Sequence, residues 1–183
     1  TAVNATASPI DHRTYRDALG RFATGITVVT TSVPRQPEAP VTELDPLFHD
    51  RETLGITVSS FMAVSLDPPL VVVSIDKHAK AHVTLQTAER FGISVLAEEQ
   101  GYLSDLFAGR PVARPGQPFE ELDGFPVVKG ALTQLVVSRH SAFEAGDHTL
   151  YFGQVEAVRL HDGEPLLYFR SAYHRLPAPV QPR

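Results

Sequence analysis

The sequence predicts a mainly β fold with some helix: six or seven mostly antiparallel strands closed as a barrel, with two or three peripheral helices. Three observations carry that expectation. Apolar runs rich in Val, Ile and Thr recur along the chain. They follow one another through short turns rather than alternating with long helices, which favours antiparallel pairing over a wound parallel sheet. Helical spacing is confined to a few short segments, and closing such a sheet removes its exposed edges.

Residues 1–10 are small and polar and are expected to be flexible. Asp11 is placed to cap a helix whose Tyr15, Leu19 and Phe22 recur at three- and four-residue spacing, and Gly25 is expected to stop it. ITVVTTSV, residues 26–33, is the first strand, β-branched nearly throughout. Residues 34–54 carry Pro34, Pro37, Pro40 and Pro46 among dense charges, a Pro-rich insertion or flap too long for a hairpin loop. ITVSSFMAVSL, 56–66, reads as one strand, turned by Asp67-Pro68-Pro69 into LVVVSI, 70–75.

DKHAKAHVTLQTAERF then runs from a loop into a helix, with Ala79, Val83 and Leu85 or Ala88 expected inward. GISVLAEE (92–99) is a strand and QGYLSDLFAG (100–109) a helix. Residues 109–126 form a Gly- and Pro-rich surface connection. Three further strands lie in 127–146, 148–160 and 164–176, and 177–183 is a flexible tail. One domain over residues 11–176 is expected, with no internal repeat.

Composition excludes several chemistries. The 183 residues include no cysteine, which removes disulfides, thiolate catalysis and Cys-based metal centres and suits a cytoplasmic address. A formal net charge of -5 argues against a nucleic-acid binder. No apolar run approaches the ~20 residues of a membrane span, and the first residues lack the pattern of a signal peptide. G-x-G-x-x-G, Walker, H-E-x-x-H and G-x-S-x-G motifs are missing.

Four constellations remain. His78 and His82 stand four apart, the spacing of a metal pair on one helix face. Lys77 and Lys80 oppose a cation there, so a solvent-facing helix start is the better reading and no metal is expected. Ser74, its neighbour Ile75, Lys77, His78 and Lys80 lie where a strand ends and a helix begins, and this arrangement suits a phosphate. Thr57, Ser59, Ser60 and Ser65 place hydroxyls in an otherwise apolar strand pair. Alternation sets Thr57 and Ser59 on one face, Val58 and Ser60 on the other. They either meet a flat, heteroatom-edged ligand or satisfy neighbouring backbone groups. Last, Gly146-Asp147-His148 puts an imidazole at the mouth of a strand. A metal ligand, a general base, a docking group and a plain turn are all compatible with that position.

"FATGITVVTT", "GITVSSFMAVSLDPPLVVVSI", "FGISVL", "FEELDGFPVVKGAL", "GDHTLYFGQV" and "EPLLYFRSAYHRL" occur in this order. Together they resemble the short-chain flavin reductases, the reductase partners of two-component flavin-dependent monooxygenases, from about Tyr15 to Leu176. The resemblance implies an FMN-binding split β-barrel, a cytoplasmic homodimer with flavin near the subunit interface, and hydride transfer from NADH or NADPH to FMN or FAD. Reduced flavin would pass to a separate monooxygenase. Thr57, Val58, Ser59, Ser60 and Ser65 would meet the flavin, and Ser74, Ile75, Lys77, His78 and Lys80 would approach its phosphate. Gly146, Asp147 and His148 would border the nicotinamide, with Tyr168, Tyr173 and Arg175 as further candidates.

Direct hydride transfer asks for orientation rather than for an essential acid or base, so His148 is expected to assist by positioning the nicotinamide. Choice of NADPH would need an arginine at the 2′-phosphate, for which Arg110, Arg114 and Arg139 are available. Two other readings share the barrel: a flavoprotein that retains FMN, oxidase or nitroreductase-like, and a flavin-binding protein without turnover.

Overall fold

The computed structural model describes residues 10–34, 51–113 and 116–177. Helix α1 (His12–Leu19) starts at Asp11, whose carboxylate accepts from the Arg13 and Thr14 amides at 2.9 and 3.2 Å. It ends at Gly20, five residues before the expected stop, and Phe22 lies beyond it, exposed. The strands are β1 (Thr24–Gly25), β2 (Thr27–Pro34), β3 (Arg51–Val58), β4 (Met62–Leu66), β5 (Pro69–Asp76), β6 (Arg90–Val95), β7 (Phe119–Leu122), β8 (Phe125–Val128), β9 (Thr133–Ala145), β10 (His148–Leu160), β11 (Leu167–Phe169) and β12 (Ala172–His174). Helices α2 (Lys80–Leu85) and α3 (Gly101–Phe107) complete it, with a 3₁₀ turn, Glu98–Gln100, leading into α3. No helix among the described residues is long and apolar enough to cross a membrane.

Seven strands form the main antiparallel sheet, in the order β3-β2-β6-β9-β10-β5-β4. This order explains the barrel. Its edge strands, β3 and β4, are joined by only Ser59, Ser60 and Phe61. A flat sheet would hold those edges ~29 Å apart at ~4.8 Å per strand spacing. The four Cα steps from Val58 to Met62 span at most ~14 Å. The sheet therefore curls until its edges meet, without hydrogen bonds closing β3 on β4, and the result is a split β-barrel.

Both faces of β2 are covered. Val29, Val73, Ile75, Phe91, Ile93, Val137 and Tyr151 share the barrel interior. Val28, one residue from Val29 and so on the opposite face, packs with Leu96, Leu103 and Phe119 beneath α3. Two-sided burial accounts for the unbroken β-branched run in β2.

Several expectations need correction. The strand expected over 56–66 is two strands broken at Ser59–Phe61, and the one over 164–176 is β11 and β12, turned by Arg170 and Ser171 at positive φ. The connection over 109–126 contains β7 and the start of β8. In α2 the inward residues are Ala81, His82 and Leu85, whereas Val83 is exposed. Most of the Pro-rich stretch, like residues 1–9 and most of the tail, lies outside the described residues; β2 reaches Pro34 and β3 begins at Arg51.

Candidate functional site at the barrel split

The split between β3 and β4 opens onto a run of three adjoining cavities. The central one, of about 170 Å³, has Thr57, Val58 and Ser59 on one wall and Tyr168, Tyr173 and Arg110 on another. Ser59 and Tyr168 also border a cavity of about 750 Å³ floored by Phe22, Phe61 and Met62. On the other side Thr57 and Ala108 border one of about 550 Å³ that includes Lys80. The two larger volumes fall in the range of small-molecule sites.

The hydroxyls are satisfied in specific ways. Thr57 donates to the Ser104 carbonyl at 2.8 Å and so ties β3 to α3. Ser60 donates to the Ser74 carbonyl at 2.9 Å and accepts from the Ser74 amide at 3.0 Å. Ser59 is exposed on the groove wall, and Ser65 is half-buried on β4 opposite Leu70. Ser59 and Ser60 lie beyond the end of β3, so strand alternation does not set their faces as expected. Tyr173 donates to Asp105 at 2.6 Å, and its oxygen lies 2.9 Å from Ser104 Oγ. Burial pushes its phenol pKa up, and the hydrogen bond to Asp105 adds to that.

The proposed phosphate segment divides. Lys80 faces the groove and has no ion-pair partner among the described residues. Lys77 instead bonds Glu144 at 2.9 Å, and His78 Nδ1 lies 2.9 Å from Asp76, which also accepts the His78 amide. Those amide and ring bonds hold Asp76 below the usual carboxylate range. Ile75 is a correction: its side chain is wholly buried in the barrel core. The solvent-facing helix start expected for His78 and His82 needs correction at His82: His78 precedes α2 and is exposed, whereas His82 is buried, its Nε2 3.0 Å from Thr149 Oγ1. Arg175 pairs with Glu98 at 2.7 Å, and Arg139 donates to the Gln86 carbonyl. Arg114 lies outside the described residues.

Gly146 and Asp147 form the two-residue loop between Ala145 and His148. Gly146 has φ +63 with no atom crowding the place of a Cβ, so backbone conformation alone calls for glycine. The His148 ring lies 2.7 Å from Asp147, and that hydrogen bond lowers the Asp147 pKa. Register then joins the two constellations. His148 pairs with Asp76 on β5, Leu150 with Ser74, and the Lys77 amide donates to the Asp147 carbonyl at 3.0 Å. Directly paired side chains share a face. His148, Asp76 and Ser74 are therefore on one face of the sheet, and Ser60 meets that row two residues, or ~7 Å, along β5 from Asp76.

Sequence reasoning passed over Ser104 and Asp105, and named Arg110 only as a candidate for a 2′-phosphate. Arg110 and Asp105 bond locally, five residues apart, but no local motif marks the α3–β12 contact that adds Tyr173 to them.

Comparison with known proteins agrees with this geometry. Residues 19–177 match the flavin reductase like domain. The FMN reductase (NADH) SmoA of Agrobacterium fabrum is 36% identical over 190 aligned positions, covering 96% of this chain and 97% of that one. The reductase component of 4-hydroxyphenylacetate 3-monooxygenase from Thermus thermophilus is 37% identical, with 88% and 95% covered. The flavin reductase PheA2 superposes with a TM-score of 0.78 at 37% identity, covering 92% of this chain and 99% of that one. The Streptomyces globisporus NADH:FAD oxidoreductase SgcE6, solved with NAD and FAD fragments, gives 0.76 at 29% identity, with 93% and 96% covered. The chain belongs to the flavin reductase like family.

Proposed function

We infer that this chain is an NADH-dependent flavin reductase that reduces FMN or FAD and supplies the reduced flavin to a partner monooxygenase. Relatives named as FMN reductase (NADH), as NADH-dependent flavin reductase and as monooxygenase reductase components support each part of that reading. The observation that carries it is the register of β5 against β10, which sets His148 on the same sheet face as Ser74, the residue whose backbone Ser60 bonds beside the groove. One face can thus present a flavin and a nicotinamide to each other.

Flavin and NADH are the two substrates. Thr57, Val58, Ser59 and Ser60 line the flavin side, and Lys80 supplies a cation toward its phosphate. His148, oriented by Asp147, docks the nicotinamide. The residues hold two rings in contact and exclude water; transfer from nicotinamide C4 to flavin N5 then needs no nucleophile. Ser65, Lys77, His78 and Arg175 take no direct part in this scheme.

The working unit is a homodimer. Met62, Leu150 and Phe143 share the sheet face of His148, and Met62 and Phe143 are 58% and 65% exposed. A second copy seated there would bury that apolar strip and close the groove.

The test is anaerobic titration of NADH into protein with free FMN or FAD, followed by flavin absorbance. Stoichiometric bleaching with flavin acting as a diffusible substrate is expected. No bleaching with either flavin overturns the reading, and bleaching confined to one retained flavin favours the resident-FMN alternative.

A further inference from the structure

We propose that Arg110 is a catalytic residue of the flavin site, its guanidinium meeting the edge of the ring that becomes negative on reduction. The proposal rests on the flavin-reductase reading. Among the described residues Arg110 is the one charged residue lining the 170 Å³ cavity, whose other walls are apolar, aromatic and hydroxyl-bearing. Tyr168, Tyr173, Ile26 and Val58 offer flat or apolar surface for a ring. The cation suited to a phosphate, Lys80, lies in the adjoining cavity on the far side of Thr57 and Ala108. The two cations therefore serve different ends of one ligand.

Arg110 is also held in place. Its backbone amide donates to the Asp105 carbonyl at 2.9 Å and its side-chain Nη1 to the Asp105 carboxylate at 2.8 Å. Asp105 divides its charge, because it also accepts the Tyr173 hydroxyl at 2.6 Å. This uses one of about five guanidinium donors, leaving the rest free to turn to a ligand. A fixed donor costs no reorganisation when charge develops.

In the reaction the nicotinamide C4–H bond breaks, and its hydrogen leaves with the electron pair to form N5–H on the flavin. NADH becomes NAD⁺. The flavin gains one negative charge, delocalised over N1 and the C2 carbonyl, until N1 takes a proton from water. A guanidinium at that edge stabilises reduced flavin more than oxidised flavin, which lowers the barrier and sets the relative affinity for the two forms.

The experiment measures dissociation constants of oxidised and of dithionite-reduced FMN, anaerobically, for wild type, Arg110→Gln and Arg110→Lys. Arg110→Gln is expected to weaken reduced FMN about tenfold and oxidised FMN less than about threefold, with Arg110→Lys retaining most of the difference. Riboflavin, which lacks the phosphate, should show the same redox-dependent loss. Equal weakening of both redox forms, a loss that vanishes with riboflavin, or no change in either form overturns the proposal. Wild-type protein that binds neither redox form overturns the flavin-reductase reading instead.

Discussion

One hydroxyl, that of Ser60, closes both backbone groups of Ser74, donating to its carbonyl at 2.9 Å and accepting from its amide at 3.0 Å. The β4–β5 register pairs Met62 with Val72, so its continuation sets Ser60 opposite Ser74. β4 begins only at Met62, and the side chain replaces the ladder bonds the backbone no longer makes. Ser60→Ala leaves two half-buried groups of β5 without that partner. It should cost about 1–3 kcal/mol in urea unfolding and raise the flavin KM, because Ser59 and Ser60 border the groove. Unchanged stability together with an unchanged flavin KM would separate the Ser60 contact from the site.

His148 and Asp147 give a sharper separation of the two substrates. His148→Ala should raise the KM for NADH about tenfold, as expected for one lost hydrogen bond to a ligand, while the flavin dissociation constant moves much less. Asp147→Asn, which keeps a polar partner 2.7 Å from the ring, should fall between wild type and His148→Ala. Steady-state kinetics with each substrate varied in turn decide this, and equal KM values for all three proteins would remove the turn from the donor site.

The strands were legible because their residues are β-branched in runs, and the G-D-H turn because glycine at a positive φ sits between two alternating segments. The break at Ser59–Phe61 was not. Neither Gly nor Pro marks it, since the strand ends where the sheet must curl, and curvature is a property of all seven strands rather than of three residues. Lys80 borders the groove, whereas Lys77 and His78 are held by Glu144 and Asp76, and the register bringing Glu144 close is invisible locally. Ser104 and Asp105 were equally hidden: they meet Tyr173 across 69 and 68 residues of chain.

His82 shows the same limit from the interior. It is 6% exposed, bonded to Thr149 and edge-on to the Tyr151 ring at 6.0 Å, so it pins α2 to the strand that begins with His148. Thr149→Val and His82→Phe should each cost about 1–3 kcal/mol by leaving one buried partner unmet. The double variant should cost less than their sum, by about 0.5–3 kcal/mol. Additive losses in a urea double-mutant cycle would mean that the 3.0 Å contact carries no coupling.

Acid stability should depend on Glu120. Burial pushes its pKa up, but the Gly130 amide, Gln134 and Arg159 outweigh that and leave it lowered. A carboxylate with a lowered folded-state pKa adds stability above its unfolded value, near 4.5, and loses it as pH falls through the folded value. Glu120→Gln should therefore be less stable than wild type at pH 7, and the gap should close on acidification below about pH 4.5. Thermal unfolding of both proteins across that range checks it; a gap constant with pH would assign the loss to packing rather than charge.

The sheet face that carries His148 makes the last test one of assembly. Met62, Leu150 and Phe143 form an apolar strip beside His148 and Ser74, and at the neighbouring β4 edge Leu66 is 96% exposed. Burying a carboxylate against an apolar partner without a counter-charge costs several kcal/mol. Met62→Asp combined with Phe143→Asp should therefore convert a dimer to a monomer, read by light scattering coupled to gel filtration. Neither side chain supports the barrel core, so circular dichroism should stay that of wild type. If the second copy also closes the groove, the monomer should lose NADH-driven flavin reduction at least about tenfold, through a higher KM for both substrates. A wild-type monomer at micromolar concentration, or a variant that remains dimeric, would place the interface elsewhere.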